Sequence, residues 1–238
     1  MNNYYLFKMR LPNTSKVIRK ISIFFNIFKY KITRLIKKNG YIAHHGLQRN
    51  GTNYLLLILK RCKFSVINDI NVKRNDPRHK HFRWYLDKGL IPNAIFNQFH
   101  NQLNVKNIHE LNAVCAYPED TKHIVIYKKP NSSLVSILNW GMRVGWFDTK
   151  EDAIKEAHNF INDYKNYLNF WSNLSDMDPD FVQLMSYERL LDSKSELKKI
   201  IFNLKLNKSI KKLDLSFDEV PQSPKSRINP IKFDDIDI

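Results

Sequence analysis

Hydrophobic positions along the chain fall into short continuous runs and longer helical stripes, and the two alternate. The run "GYIAHHG" at 40–46 reads as a buried strand, and "TNYLLLILKRC" at 52–62 reads as the helix that follows it. "FSVIN" at 64–68 is a second strand. A polar, basic loop, "DINVKRNDPRHKHFRWY", separates it from a helical stretch at 92–104. "KHIVIY" at 122–127 is the clearest strand of the middle region, and "NSSLVSILNWGMRV" after Pro130 is expected to be a helix starting on Asn131 or Ser132. Thr149 and Asp152 then form a capping-box-like start to a core helix that keeps Ala153, Ala157, Phe160, Ile161, Tyr164, Tyr167, Leu168 and Trp171 at helical spacing. "DFVQLMSY" at 180–187 is a strand and "SELKKIIFNLKL" at 195–206 a short helix. Alternating strands and helices predict an α/β fold, a central parallel β-sheet flanked by helices, over 40–238 with an irregular, polar C-terminal tail.

Residues 1–39 have a different pattern. From Asn13 to Gly40, Lys and Arg alternate with Ile and Phe at near-helical spacing, which predicts one basic amphipathic helix. Such a helix either lies on an anionic membrane face or docks on its own domain. Its most apolar run, "ISIFFNIF" at 21–28, is far shorter than the roughly 20 residues that cross a bilayer, and no small-residue cleavage site follows. Neither a transmembrane span nor a secretion signal is expected. The two cysteines, Cys62 and Cys115, imply no disulfide framework and read as small core residues in a reducing, cytoplasmic setting. Lys and Arg outnumber Asp and Glu by 39 to 23, a formal charge of +16, so the partners are polyanions, anionic membrane surfaces or small anionic ligands.

Candidate chemistry begins at "HHGLQRNGTNYLLLIL", residues 44–59. Gly46 and Gly51 stand at the spacing of the glycines in GxxxxGK[ST], but Thr52 occupies the lysine position. A glycine loop between a strand and a helix N-terminus offers backbone N–H groups and the positive end of the helix dipole to an anion. Thr52 adds a hydroxyl and Arg49 a permanent charge. With the cation moved to position 49 and no second-strand aspartate for a metal, the pattern favours an anion less charged than a triphosphate, and no metal is required.

"QRNGTNYL" resembles the 5′-phosphosulfate loop of sulfotransferases that use 3′-phosphoadenosine 5′-phosphosulfate, in the P-loop sulfotransferase superfamily. "VIYKKPNSSLVS" is similar to that family's 3′-phosphate motif, with Lys128, Pro130 and Ser136 at its spacing and Lys128 standing where the family has Arg. Lysine keeps the charge but gives up the planar fork. "QLMSYERLL" resembles the family's later strand ending in Tyr-Glu-x-Leu, and the three motifs together span 41–206 in the family's order.

The resemblance implies a P-loop-type domain and a cofactor-binding set of Gly46, Gln48, Arg49, Asn50, Gly51, Thr52, Asn53 and Tyr54 at the loop, with Lys128 and Ser136 on the 3′-phosphate. It also implies Tyr187 near the adenine and Glu188 in a structural role, while Tyr54 either packs on the adenine or is ordinary core. Lys225 and Arg227 in "SPKSRINP" either close over the 3′-phosphate or form a solvated tail. The catalytic set is Arg49 on the departing bridging oxygen, His81 as base and Lys80 on the sulfuryl group. Against this, the His79-x-His81 pair in a basic loop is either solvated or part of a metal site with no third ligand in view. His44 and His45 read as a strand pair near the site. The acceptor implied by the family is a carbohydrate, as in bacterial-type carbohydrate sulfotransferases, met at the inner membrane face. Two rivals stand beside this reading. A P-loop kinase would need Mg²⁺ and a lysine where Thr52 stands. A nucleic-acid binder would interleave aromatics with basic residues on an exposed face, whereas most aromatics here fall on helical core stripes.

Overall fold

Four short apolar runs line up as one parallel sheet in the computed structural model, which describes residues 40–70, 78–81, 105–206 and 230–236. The strands are β1 (Tyr41–His45), β2 (Ser65–Val66), β3 (Lys122–Tyr127) and β4 (Val182–Ser186), ordered β2-β1-β3-β4. His44 pairs with Ile124 and Val125 with Leu184, all in parallel register. The helices are α1 (Thr52–Arg61), α2 (Ile108–Cys115), α3 (Pro130–Arg143), α4 (Lys150–Lys155), α5 (Ala157–Met177), α6 (Tyr187–Asp192) and α7 (Lys194–Asn203), with a 3₁₀ turn at Phe233–Asp235.

Strand alternation divides the core in two. Ile42, Ile124, Ile126 and Met185 face α1 and α7, where they meet Leu55, Ile58, Leu197 and Ile201. Ala43, Val125 and Val182 face α2, α3 and α5, where Leu111, Leu138, Tyr167 and Trp171 cover them. Both faces are buried, which is why these strands read as continuous apolar runs. Cys62 and Cys115 are buried free thiols, as expected.

Several boundaries differ from the sequence expectation. The helix α3 begins at Pro130 with Lys129 as its N-cap, one to two residues before the start expected at Asn131 or Ser132. Proline has no N–H to lose in the first turn and its fixed φ is already helical, so it starts the helix itself. The stripe after Thr149 is two helices: Thr149 caps α4, the chain resets at Glu156, and α5 follows. The strand β2 has only two residues because the Asn68 side chain takes over the next rung, its Oδ1 accepting from the His44 amide at 3.0 Å and its Nδ2 donating to the His44 carbonyl at 2.7 Å. The helix α2 was not foreseen; Asn107 caps it by accepting from the Glu110 amide at 2.9 Å. The expected helices at 13–39 and 92–104 lie outside the described residues, and among the described residues no helix is long and apolar enough to cross a membrane.

The strand order also locates a crevice. The chain leaves β1 toward β2 on one side, whereas β3 lies on the other, so the topological switch falls between β1 and β3. In open α/β sheets ligands bind beyond the carboxyl ends of the strands at such a switch. The glycine loop follows β1 there, and Lys128 follows β3.

Candidate functional site

The loop from Gly46 to Gly51 turns the chain from β1 into α1 by two left-handed residues, Arg49 at φ 70° and Gly51 at φ 93°. Gly51 is the N-cap of α1 and, as glycine, has no side chain with which to cap the first turn. Both glycines are also required by close packing. A Cβ on Gly46 would meet the Ile126 carbonyl oxygen at 2.7 Å and Thr52 Cγ2 at 2.6 Å, and one on Gly51 would meet the Tyr187 ring at 2.4 Å.

Tyr187, the first residue of α6, thereby lies directly on the glycine loop. Tyr54 meets it edge-on with ring centroids 6.1 Å apart, and Lys128 Nζ stands 4.8 Å from the Tyr187 ring centroid. The residues that the sequence places in three separate motifs are thus brought together over β1, β3 and β4. Glu188 ties two of these units: its Oε1 accepts from the Lys129 amide at 3.0 Å and its Oε2 from the Ser186 hydroxyl at 3.1 Å. Tyr164 on α5 donates its hydroxyl to the Lys128 carbonyl at 2.5 Å, and burial pushes this phenol up to about 12, so it remains a donor.

Arg49 is half-buried, and its guanidinium lies over Trp140 of α3 at 4.7 Å. Arg143 lies over the same indole at 5.5 Å. Burial lowers the Arg49 pKa, and the neighbouring Arg143 charge lowers it further. Burial likewise lowers Lys128, followed by the charge of Arg49, while Glu188 opposes the shift. Three cations are therefore gathered about one loop, an arrangement that favours an anion among them.

The segment 78–81 packs against the loop and the start of α1. The Gly46 amide donates to the Lys80 carbonyl at 3.2 Å, and His81 Nδ1 stands 3.2 Å from the Gly46 carbonyl and 3.4 Å from Thr52 Oγ1. With Nδ1–H directed to the carbonyl, Nε2 is the basic nitrogen of His81. Lys80 Nζ donates to Asn53 Oδ1 at 2.5 Å, so Lys80 is held on the first turn of α1. Gln48 is buried, with Leu47 beside it in the wall of a small apolar cleft completed by Leu134, Phe160 and Tyr164.

His44 and His45 are strand residues, as expected, and both are buried. His45 Nε2 meets His123 Nδ1 at 3.0 Å, His123 Nε2 meets Asn112 Oδ1 at 2.8 Å, and the His45 ring packs on Trp171 at 4.6 Å. Desolvation lowers His123 to about 3 and His44 to about 4. Neither group carries charge near neutral pH.

Sequence reasoning missed Ser133, Trp140 and Arg143. Ser133 Oγ donates to Asn50 Oδ1 at 2.7 Å in a buried hydrogen bond. These residues share with Ser136, itself half-buried, a stripe of α3 at spacings of three and four. That periodicity in "SSLVSILNWGMR", read as a face toward the loop, was the available signal. Lys225 and Arg227 lie outside the described residues, and among those described no group of three His, Cys, Asp or Glu is placed to hold a metal. Neither a family model nor a curated protein nor a solved structure matches the chain.

Proposed function

We propose that the chain is a sulfotransferase of P-loop type, moving a sulfuryl group from 3′-phosphoadenosine 5′-phosphosulfate to an acceptor hydroxyl. The observation that carries this reading is the meeting of Gly51, Tyr54, Lys128 and Tyr187 at the switch point of a parallel sheet. In this reading the first turn of α1 and the amides from Gly51 to Asn53 hold the 5′-phosphate, with Gly46 and Gln48 shaping the loop beneath it. Tyr54 and Tyr187 line the adenine slot, and Lys128 with Ser136 reads the 3′-phosphate.

Transfer is in line. The acceptor oxygen attacks sulfur, the bond from sulfur to the bridging oxygen breaks, and 3′,5′-bisphosphoadenosine departs with the charge. Arg49 stabilises that charge as it develops. The acceptor proton passes to His81 Nε2, whose ring is oriented by the Gly46 carbonyl. Because the transferred group carries less charge than a γ-phosphate, fixed donors suffice and no metal is assigned a step. The acceptor class is a carbohydrate, and the basic 13–39 segment would bring the enzyme to an anionic lipid surface at the cytoplasmic face.

Lys128 offers the test. The parent protein should bind 3′,5′-bisphosphoadenosine more tightly than adenosine 5′-phosphate in calorimetric titration. Lys128→Ala should abolish the difference by weakening only the first ligand, and Lys128→Arg should restore it. Equal losses for both ligands in Lys128→Ala would remove Lys128 from 3′-phosphate recognition and, with it, the motif assignment.

A further inference from the structure

Lys128 and Lys129 carry the chain from β3, whose last paired rung is Tyr127 with Ser186, to the start of α3 at Pro130. The peptide group that joins them lies beyond the ladder, and side chains from two other elements hold it. Tyr164 of α5 donates its hydroxyl to the Lys128 carbonyl at 2.5 Å, and Glu188 of α6 accepts from the Lys129 amide through Oε1 at 3.0 Å. That carbonyl and that amide belong to one planar unit, so the same plane is gripped at both of its polar ends. Neither bond has a choice of direction, because a carbonyl oxygen only accepts and an amide N–H only donates.

The orientation of this plane decides what Lys128 can reach. A lysine ammonium rides on a flexible four-carbon stem, and the stem leaves the backbone along a Cα–Cβ bond whose direction follows from the peptide planes on either side. The plane before Lys128 continues β3, and the plane after it is the one held by Tyr164 and Glu188. Lys128 Nζ then stands 4.8 Å from the ring centroid of Tyr187, the neighbour of Glu188, so α6 meets both the peptide and the ammonium. An arginine here would bring a rigid fork of its own; with lysine that order comes from the surrounding residues.

We propose that Tyr164 is a positioning residue for the 3′-phosphate, its hydroxyl fixing the Lys128–Lys129 peptide against Glu188 so that Lys128 extends its ammonium past Tyr187 to that group. The core stripe of α5 accounts for the ring of Tyr164, which is buried in one cluster with Phe160 and Trp171. It does not account for the hydroxyl, since a phenylalanine would pack there as well. Burial raises this phenol to about 12 and lowers Lys128, so the donor is present wherever Lys128 is charged. The inference rests on Lys128 reading the 3′-phosphate in the function proposed above, whereas the grip on the peptide is a property of the fold with or without a ligand.

The experiment titrates the parent, Tyr164→Phe, Lys128→Ala and the double variant carrying both changes with 3′,5′-bisphosphoadenosine and with adenosine 5′-phosphate, in EDTA and below the melting temperature of each protein. Tyr164→Phe keeps the ring and removes only the donor. It should weaken 3′,5′-bisphosphoadenosine by about three- to tenfold, the scale of one hydrogen bond, and leave adenosine 5′-phosphate within about twofold of the parent. Without the Lys128 side chain the hydroxyl has nothing to position, so the double variant should show the same preference between the two ligands as Lys128→Ala. A merely structural hydroxyl would weaken both ligands alike. Equal losses in Tyr164→Phe, unchanged binding of both ligands, or a further loss of preference in the double variant overturns the proposal, while a parent preference that Lys128→Ala abolishes keeps the 3′-phosphate reading. If the parent has no such preference, or Lys128→Ala retains it, that reading falls and the Tyr164 proposal falls with it.

Discussion

At the scale of single residues, the glycine loop is specified by conformation and space together. Gly51 needs a left-handed backbone at φ 93° and also leaves no room for a Cβ under the Tyr187 ring. Gly51→Ala should therefore cost about 1–3 kcal/mol from overpacking and backbone strain, read as a lowered urea midpoint. It should also displace Tyr187, so nucleotide binding should weaken beyond what the stability loss explains. An unchanged midpoint would mean that the ring yields freely and is not part of a rigid slot. His81 and Arg49 have different neighbours at the loop, one against Gly46 and Thr52 and the other over Trp140. Their proposed roles separate in one comparison. His81→Ala should lower turnover by roughly 10²-fold or more with 3′,5′-bisphosphoadenosine binding nearly unchanged, whereas Arg49→Ala should damage both. A His81→Ala protein with near-normal transfer would assign the base elsewhere.

At the scale of elements, β1 and β3 carry three buried histidines whose protonation is linked to folding. His44 and His123 are held to about 4 and about 3 by burial, and His45, hydrogen-bonded to His123, is lowered as well. The unfolded chain, with histidines near 6.5, takes up these protons first, so their contribution to stability is complete above about pH 6.5 and is lost as pH falls toward 4. Each group adds a slope of up to about 1.4 kcal/mol per pH unit in that window. Urea unfolding at pH 7 and pH 5 should show a large acid loss, and His44→Gln should be less stable at pH 7 but flatter between the two. A parent protein equally stable at both values would contradict the burial of these imidazoles. The same strands show what the sequence made legible. Strand β3 and helix α1 were plain because continuous apolar runs bounded by a glycine loop or by Pro130 have few other readings. The start of α3 was misplaced because the proline rule competed with a hydroxyl cap rule, and Ser133 was missed because a small polar residue on a helix gives no one-dimensional sign of its partner in a loop far away in sequence. The helix α2 hid behind an Asn107 cap that is visible only once its helix is granted.

At the scale of the molecule, strand order assembles the site. The glycine loop, the Lys128 segment and Tyr187 are dispersed along the chain, and the order β2-β1-β3-β4 delivers them to adjacent carboxyl ends. The loop alone was legible from glycine spacing, but its meeting with Tyr187 and the stripe on α3 needed the sheet. The molecule's +16 charge gives a long-range attraction to anions of many kinds, so the field alone does not choose among them. A ligand that binds only the folded protein raises its stability, by about 2.7 kcal/mol at a hundred times its Kd. The most direct test is the melting temperature in 3′,5′-bisphosphoadenosine with EDTA, set against ATP with Mg²⁺. The account predicts a clear rise with the first and little with the second; a rise confined to ATP with Mg²⁺ would contradict it.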